Sequence, residues 1–187
     1  AYLPEPDRPA VEAVVDVAAN ELFVADGYGN KRVTVFGSRT GAYKRHWGAS
    51  GGVPRDVTQA PYNPPSPASK QFAGAVHCIR LSNDGLIYVC DRGNNRVQVF
   101  KKDGTYVSEI LGSQIGTLDS ADLLFSPDVA QRHMYLADGQ KGQIHILNRT
   151  VDKAQAPAKE LGGPSGHGPL HAYARLPPEA GLLANTT

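Results

Sequence analysis

Four positions in this chain share one place in a repeated pattern, and all four carry side chains able to ligate or hydrogen-bond. Asp26, Asp91 and Asp138 each end an apolar run. Counting back fourteen residues, with two inserted residues allowed near Gln131-Arg132, reaches Glu12, His77 and Asp122. His171 takes the equivalent place in a shorter C-terminal echo. Acid and imidazole alternate along the chain, and a ring of such groups drawn from distant sequence is how a protein assembles a metal site. Three ligands with an open position make the metal a Lewis acid rather than a staple. Tyr28 and Arg92 follow two of the anchor aspartates closely. A phenol serves as a base near neutrality once nearby cations lower its pKa from ~10, and Arg92 supplies that charge and can fork onto a carboxylate. Arg96 offers a second guanidinium in the same turn. Each position also has a structural reading. His77 fits a core histidine, Arg92 and Arg96 can pair with Asp91, and Glu12 and Asp122 can accept from backbone amides. The three aspartates themselves are expected to accept hydrogen bonds in the turns they open.

The elements that position these residues come from an internal repeat. Glu21-Leu-Phe-Val-Ala-Asp26-Gly-Tyr28-Gly-Asn30-Lys-Arg32-Val-Thr-Val-Phe36 is echoed by Leu86-Ile-Tyr-Val-Cys-Asp91-Arg92-Gly-Asn-Asn95-Arg96-Val-Gln-Val-Phe100 and by His133-Met-Tyr-Leu-Ala-Asp138 through Leu147. Alternation of period two on both sides of a Gly/Asn turn predicts a β-hairpin. With a flanking strand on each side, every copy makes four antiparallel strands, one blade of a β-propeller. The anchors stand 65 and 47 residues apart, and the second spacing matches a blade of ~40–50 residues. The first is longer because of a stretch holding Pro54, Pro61, Pro64, Pro65 and Pro67, which cannot pair in a sheet. The expected organisation is a single, partial, all-β propeller: blade one about 11–48, a Pro-rich loop 49–74, blade two about 75–112, blade three about 119–162, and a partial blade 169–187. In a propeller the innermost strand and the turn between the second and third strands share one face, so His77, Tyr28 and Arg92 are expected at one mouth of the central channel.

The hairpin motif resembles the NHL repeat. Asp26-Gly-Tyr28-Gly-Asn-x-Arg32, Trp47-Gly48, Gln71-Phe72, Val76-His77 and Asp91-Arg92-x-Asn-x-Arg96, in that order, resemble the lyase domain of the peptidylglycine α-amidating monooxygenases, the peptidyl-α-hydroxyglycine α-amidating lyase. The likeness runs from about residue 11 to 112. It implies a six-bladed propeller with zinc held at the axis by three histidines, a tyrosine base, and arginines that bind a small peptide or carboxylate substrate. Carried across, it makes His77 and His171 metal ligands, Tyr28 the base, and Arg92, with Arg96 beside it, the substrate-binding arginines. The first histidine of that set has no counterpart here. The implied reaction cleaves an α-hydroxyglycine end to a peptide amide and glyoxylate. The implied compartment is extracellular or periplasmic. Two other functions stay open: a non-catalytic NHL scaffold that binds a protein or peptide on its loop face, and a lactonase-type hydrolase, which would use a calcium site of carboxylates.

Composition narrows the partners. Nineteen Lys and Arg against eighteen Asp and Glu leave a net charge of +1, so no strong field favours nucleic acid. No apolar run approaches the ~18 residues of a membrane span. No phosphate loop, Gly-x-Ser-x-Gly elbow or clustered CxxC is present. A disulfide is not expected: with the turn centred on Asn83-Asp84, Cys78 faces Val89 and Cys90 points to the other side of the sheet. At ~45 residues per blade, six blades need roughly 270 residues. The 187 residues are therefore expected to be a fragment, or to close their ring with a second copy as a homodimer.

Overall fold

The computed structural model describes residues 10–55, 69–112, 120–149 and 173–174. It is an all-β propeller arrangement of three four-stranded antiparallel sheets. Blade one holds β1 (Glu12–Asp16), β2 (Glu21–Asp26), β3 (Arg32–Gly37) and β4 (Tyr43–Trp47); blade two holds β5 (Val76–Leu81), β6 (Leu86–Asp91), β7 (Arg96–Lys101) and β8 (Tyr106–Leu111). Blade three holds β9 (Ser120–Phe125), β10 (His133–Asp138) and β11 (Gln143–Asn148). Its outer strand is β12 (Tyr173–Ala174), antiparallel to β11. Those two residues fall within the stretch expected to open a partial fourth blade. Here they cover the edge of β11, whose unpaired N–H and C=O groups are a template for any extended segment.

The strands are rich in β-branched and aromatic residues, which suit a pleated, half-buried surface. In β6 the alternation is used on both faces. Ile87 and Val89 enter the core shared with blade one, beside Phe23, Val33, Val35 and Trp47. Leu86, Tyr88 and Cys90 enter the core shared with blade three, beside Leu123, Met134 and Leu136. Blade two is thus packed on both sides. The far faces of the other two blades stay partly open, with Val15 48% and Leu124 55% exposed. In blades one and two the outer strand pair carries the same irregularity, at Val35/Phe36 and Val99/Phe100, as repeated units with one local bend should.

The ends of the Pro-rich loop are built into the interface between blades one and two. Phe72 is fully buried, and Trp47 and Phe72 both meet the ring of Phe100. The Ser50 amide donates to Gln98 Oε1 at 3.0 Å, and the Arg55 amide donates to Gln71 Oε1 at 2.9 Å. The two ends of the loop are therefore part of the packing between blades one and two.

One expectation is overturned. Cys78 and Cys90 are directly opposite across β5 and β6 and form a disulfide, with Cα atoms 4.8 Å apart. The turn is one residue longer than assumed. Ser82 N–H bonds to Leu86 C=O and Gly85 N–H to Ser82 C=O, both at 2.9 Å, with Gly85 at φ +83°. This is a three-residue loop whose last position needs a glycine. One extra residue in the turn moves Cys78 from opposite Val89 to opposite Cys90.

At the face away from the candidate site, charged clamps join the blades. Arg45 grips Glu21 through two bonds of 2.7 and 2.6 Å and donates to Lys102 C=O of blade two. Arg149, at the end of β11, donates to the Tyr88 hydroxyl at 2.9 Å and pairs with Asp84. No described helix is long and apolar enough to cross a membrane.

Candidate functional site

The anchor aspartates build the turns that carry the site. Asp91, fully buried, accepts from the Ala73 amide at 3.0 Å and from Asn94 Nδ2 and Arg96 Nε, both at 2.7 Å. Asp26 repeats the device with Asn30 Nδ2 at 3.0 Å and Arg32 Nε at 2.9 Å. Asp138 accepts from the amides of Gln140 and Lys141, both at 3.0 Å. Burial pushes the Asp91 carboxyl up, while Arg96 and the Asn94 and Ala73 bonds pull it down. Arg96 was expected near substrate. It is only 2% exposed, and its other nitrogens donate to Glu109 Oε2 at 3.1 Å and Ser69 C=O at 2.7 Å. That geometry makes Arg96 a staple within blade two, facing away from solvent.

The turn between β2 and β3 delivers Tyr28 to the start of β5. Its ring meets the His77 imidazole edge-on, with centroids 6.3 Å apart and planes at 78°, within the range of favourable aromatic pairs. Tyr28 is 60% exposed and opens to solvent. The approach depends on Gly27, where a methyl group would overlap the backbone of Val76. Arg92, half-buried, follows Asp91, the partner of Val76, and its amide donates to Ala75 C=O at 3.3 Å. Two blades therefore bring Tyr28, His77 and the Arg92 turn to the same end of β5. His77 is itself the extra residue of a β-bulge, because the β5–β6 register shifts between Val76 and Cys78.

The inner strands hold one group that the residue pattern did not single out. Arg80 of β5 pairs with Glu12 of β1 and donates to Asp122 Oδ1 of β9 at 2.7 Å, so one guanidinium ties all three inner strands. Glu12 also accepts from the Ile79 amide at 2.9 Å, and Asp122 from the Leu123 amide at 2.7 Å. The signal for Arg80 was present: a cation on an inner strand between two whose inner positions are acidic. Among the described residues no three His, Cys, Asp or Glu side chains converge to hold a metal ion. His171 lies outside the described residues. The described residues alone therefore do not make a three-ligand zinc centre, and Glu12 and Asp122 share the single positive charge of Arg80.

Known proteins agree with this architecture. The NHL repeat family matches residues 76–100, which span β5 to β7. Peptidyl-glycine alpha-amidating monooxygenase B of Xenopus laevis is 31% identical over 121 residues, covering 62% of this chain and 12% of that protein. The A form from the same species is 30% identical over 121 residues, with the same coverage. The chain thus spans about an eighth of the curated relatives it matches. Among solved structures, the periplasmic gluconolactonase of Pseudomonas aeruginosa superposes with a TM-score of 0.58 at 18% identity, covering 84% of this chain and 40% of that one. A putative 6-phosphogluconolactonase of Bacteroides fragilis gives 0.57 at 15% identity, covering 82% and 38%. At such identities the likeness is one of fold. The chain is a β-propeller that carries an NHL repeat over residues 76–100 and resembles the peptidyl-glycine alpha-amidating monooxygenases over 62% of its length.

Proposed function

We propose that this chain carries part of the site of a lyase-like propeller that cleaves the α-hydroxyglycine end of a peptide or a related small carboxylate. The observation that supports this most is the meeting of Tyr28 and His77, from different blades, beside the Arg92 turn. These are three of the positions at which the chain resembles the amidating lyase. In this reading Arg92 binds the substrate carboxylate and the Tyr28 oxygen takes the proton of the α-hydroxyl. The electron pair of the O–H bond closes to an aldehyde as the C–N bond breaks, and the amide nitrogen takes back from Tyr28 the proton that the hydroxyl gave up. The products are a peptide amide and glyoxylate, so atoms and charge balance. His77, with His171, is the proposed protein contribution to a zinc site; calcium is the alternative ion. No step above is routed through either metal.

The partly open outer faces of blades one and three support a second copy as the partner that completes the ring. Sedimentation at micromolar concentration should then give twice the chain mass, and a monomer throughout would remove that part of the proposal. Incubation of the purified protein with a peptide ending in α-hydroxyglycine should release glyoxylate, and Tyr28 and Arg92 variants should not. A second reading, a non-catalytic scaffold for a peptide, is favoured by Arg80, which fills the inner-strand position with an internally neutralised cation. Peptide binding without glyoxylate release would favour the scaffold and sink the lyase.

A further inference from the structure

The bulge at His77 has two fixed ends, and the fixtures are different. On the turn side, Leu81, Arg80, Ile79 and Cys78 pair with Ile87, Tyr88, Val89 and Cys90 in one unbroken register, and the disulfide closes it. On the far side, Val76 pairs with Asp91. That end is held by Asp91 accepting from the Ala73 amide, by the Arg92 amide donating to Ala75, and by Gly27 packed on the Val76 backbone. The two registers differ by one residue, and the surplus residue is His77. A continuous ladder would pair His77 with Cys90 and Cys78 with Val89. In that register Cys78 and Cys90 lie on opposite faces, where no disulfide can join them.

We infer that the Cys78–Cys90 disulfide is a positioning element for the candidate site, holding His77 out of the β5–β6 ladder and against Tyr28. The crosslink stands next to His77 in β5 and one residue from Asp91 in β6. Both cysteines are buried in the core between blades two and three. Without the crosslink the register on that side rests on the turn alone, and a one-residue slip toward the Val76–Asp91 register is no longer blocked. His77 then enters the ladder, and its side chain changes face. The inference rests on the proposed function only for its purpose; the geometry it describes is independent of catalysis.

The test compares native protein with the Cys78→Ala/Cys90→Ala variant by NMR, reading the nuclear Overhauser contact between the Tyr28 and His77 rings and the chemical shifts of the His77 imidazole. A Cys78→Val/Cys90→Val variant, which refills the buried volume, serves if the alanine pair does not fold. The expected result is loss of the Tyr28–His77 contact and displaced imidazole signals, with signals of Arg96 and Glu109 unmoved. Unchanged His77 signals in a folded variant, or two free thiols in the native protein by mass spectrometry, would overturn the inference. Lost ring contact with no glyoxylate release from native protein removes the lyase reading alone. Glyoxylate release with the ring contact unmoved in the variant removes this inference alone.

Discussion

Tyr28 and His77 stand 49 positions apart in the chain, yet their rings touch edge to face at 6.3 Å, one from a turn of blade one and the other from the inner strand of blade two. The contact is one between rings, and Tyr28 is 60% exposed. Replacing Tyr28 by Phe keeps the ring and removes the oxygen. Glyoxylate release from an α-hydroxyglycine peptide should fall by about 10²- to 10⁴-fold, the usual worth of a positioned base, with the urea midpoint unchanged. Full activity in the Phe variant would remove Tyr28 from the reaction.

Gly27 sets how closely that turn approaches. A Cβ there overlaps backbone atoms of Val76, and backbone cannot rotate away as a side-chain tip can. Gly27→Ala should therefore push the turn off β5, destabilise by about 1–3 kcal/mol as overpacking does, and separate the Tyr28 and His77 rings. Denaturant unfolding gives the first quantity and the ring contact by NMR the second. An Ala variant as stable as the parent would show that the approach is not tight.

Asp91, Arg92 and Arg96 are near neighbours in sequence and should respond in opposite ways. Asp91→Ala leaves Arg96 buried without its carboxylate, a loss of about 3–5 kcal/mol for a broken buried pair. Arg92→Ala removes a half-buried side chain beyond the strand and should cost less than about 1 kcal/mol, while weakening binding of a carboxylate-ended peptide. Equal stability losses in the two variants would contradict this division of labour.

That division also marks how far the residues alone could be read. The anchor aspartates declared their turns, because Asp followed by Asn and Arg at a fixed spacing is a local pattern that closes on itself. The blades declared themselves through alternation. Arg96 did not reveal its direction, since Glu109 and Ser69, its further partners, are 13 and 27 residues away. Arg80 is a sharper case: its carboxylates come from 68 residues before and 42 after, and only the stacking of blades brings them together. The disulfide depended on one residue of turn length. Asn83-Asp84-Gly85 allows both a tighter and a looser turn, and the choice decides which face of the sheet Cys78 occupies.

Glu21 is the carboxylate through which acid should act first on the packing of blades one and two. The two bonds from Arg45, aided by Lys44, hold it well below its ordinary value of 4.5, at about 2. A carboxylate depressed by folding contributes stability that is complete above the unfolded pKa and is lost as pH falls through the folded one. The contribution should therefore be full above about pH 5 and disappear between pH 4.5 and 2. Because the partners touch solvent, roughly 1–2 kcal/mol is expected rather than the full linkage value. In Glu21→Gln that part of the acid limb should flatten. An unchanged pH profile of unfolding would show that Glu21 has the same affinity for protons in both states.

Arg80 allows a prediction that separates a channel ion network from a buried staple. Its side chain is 21% exposed, Glu12 is 27% and Asp122 51% exposed, so water and salt reach all three. In Arg80→Met both carboxylates keep an amide donor, Ile79 for Glu12 and Leu123 for Asp122, and both can turn to solvent. The stability loss should be about 1–2 kcal/mol, below that of Asp91→Ala. It should also shrink when unfolding is repeated in 1 M NaCl, where the Debye length is only about 3 Å. The penalty at Asp91, buried away from ions, should persist at the same salt. If the Arg80 penalty is instead as large as that of Asp91 and indifferent to salt, the guanidinium is packing the three inner strands by shape, and its charge contributes little.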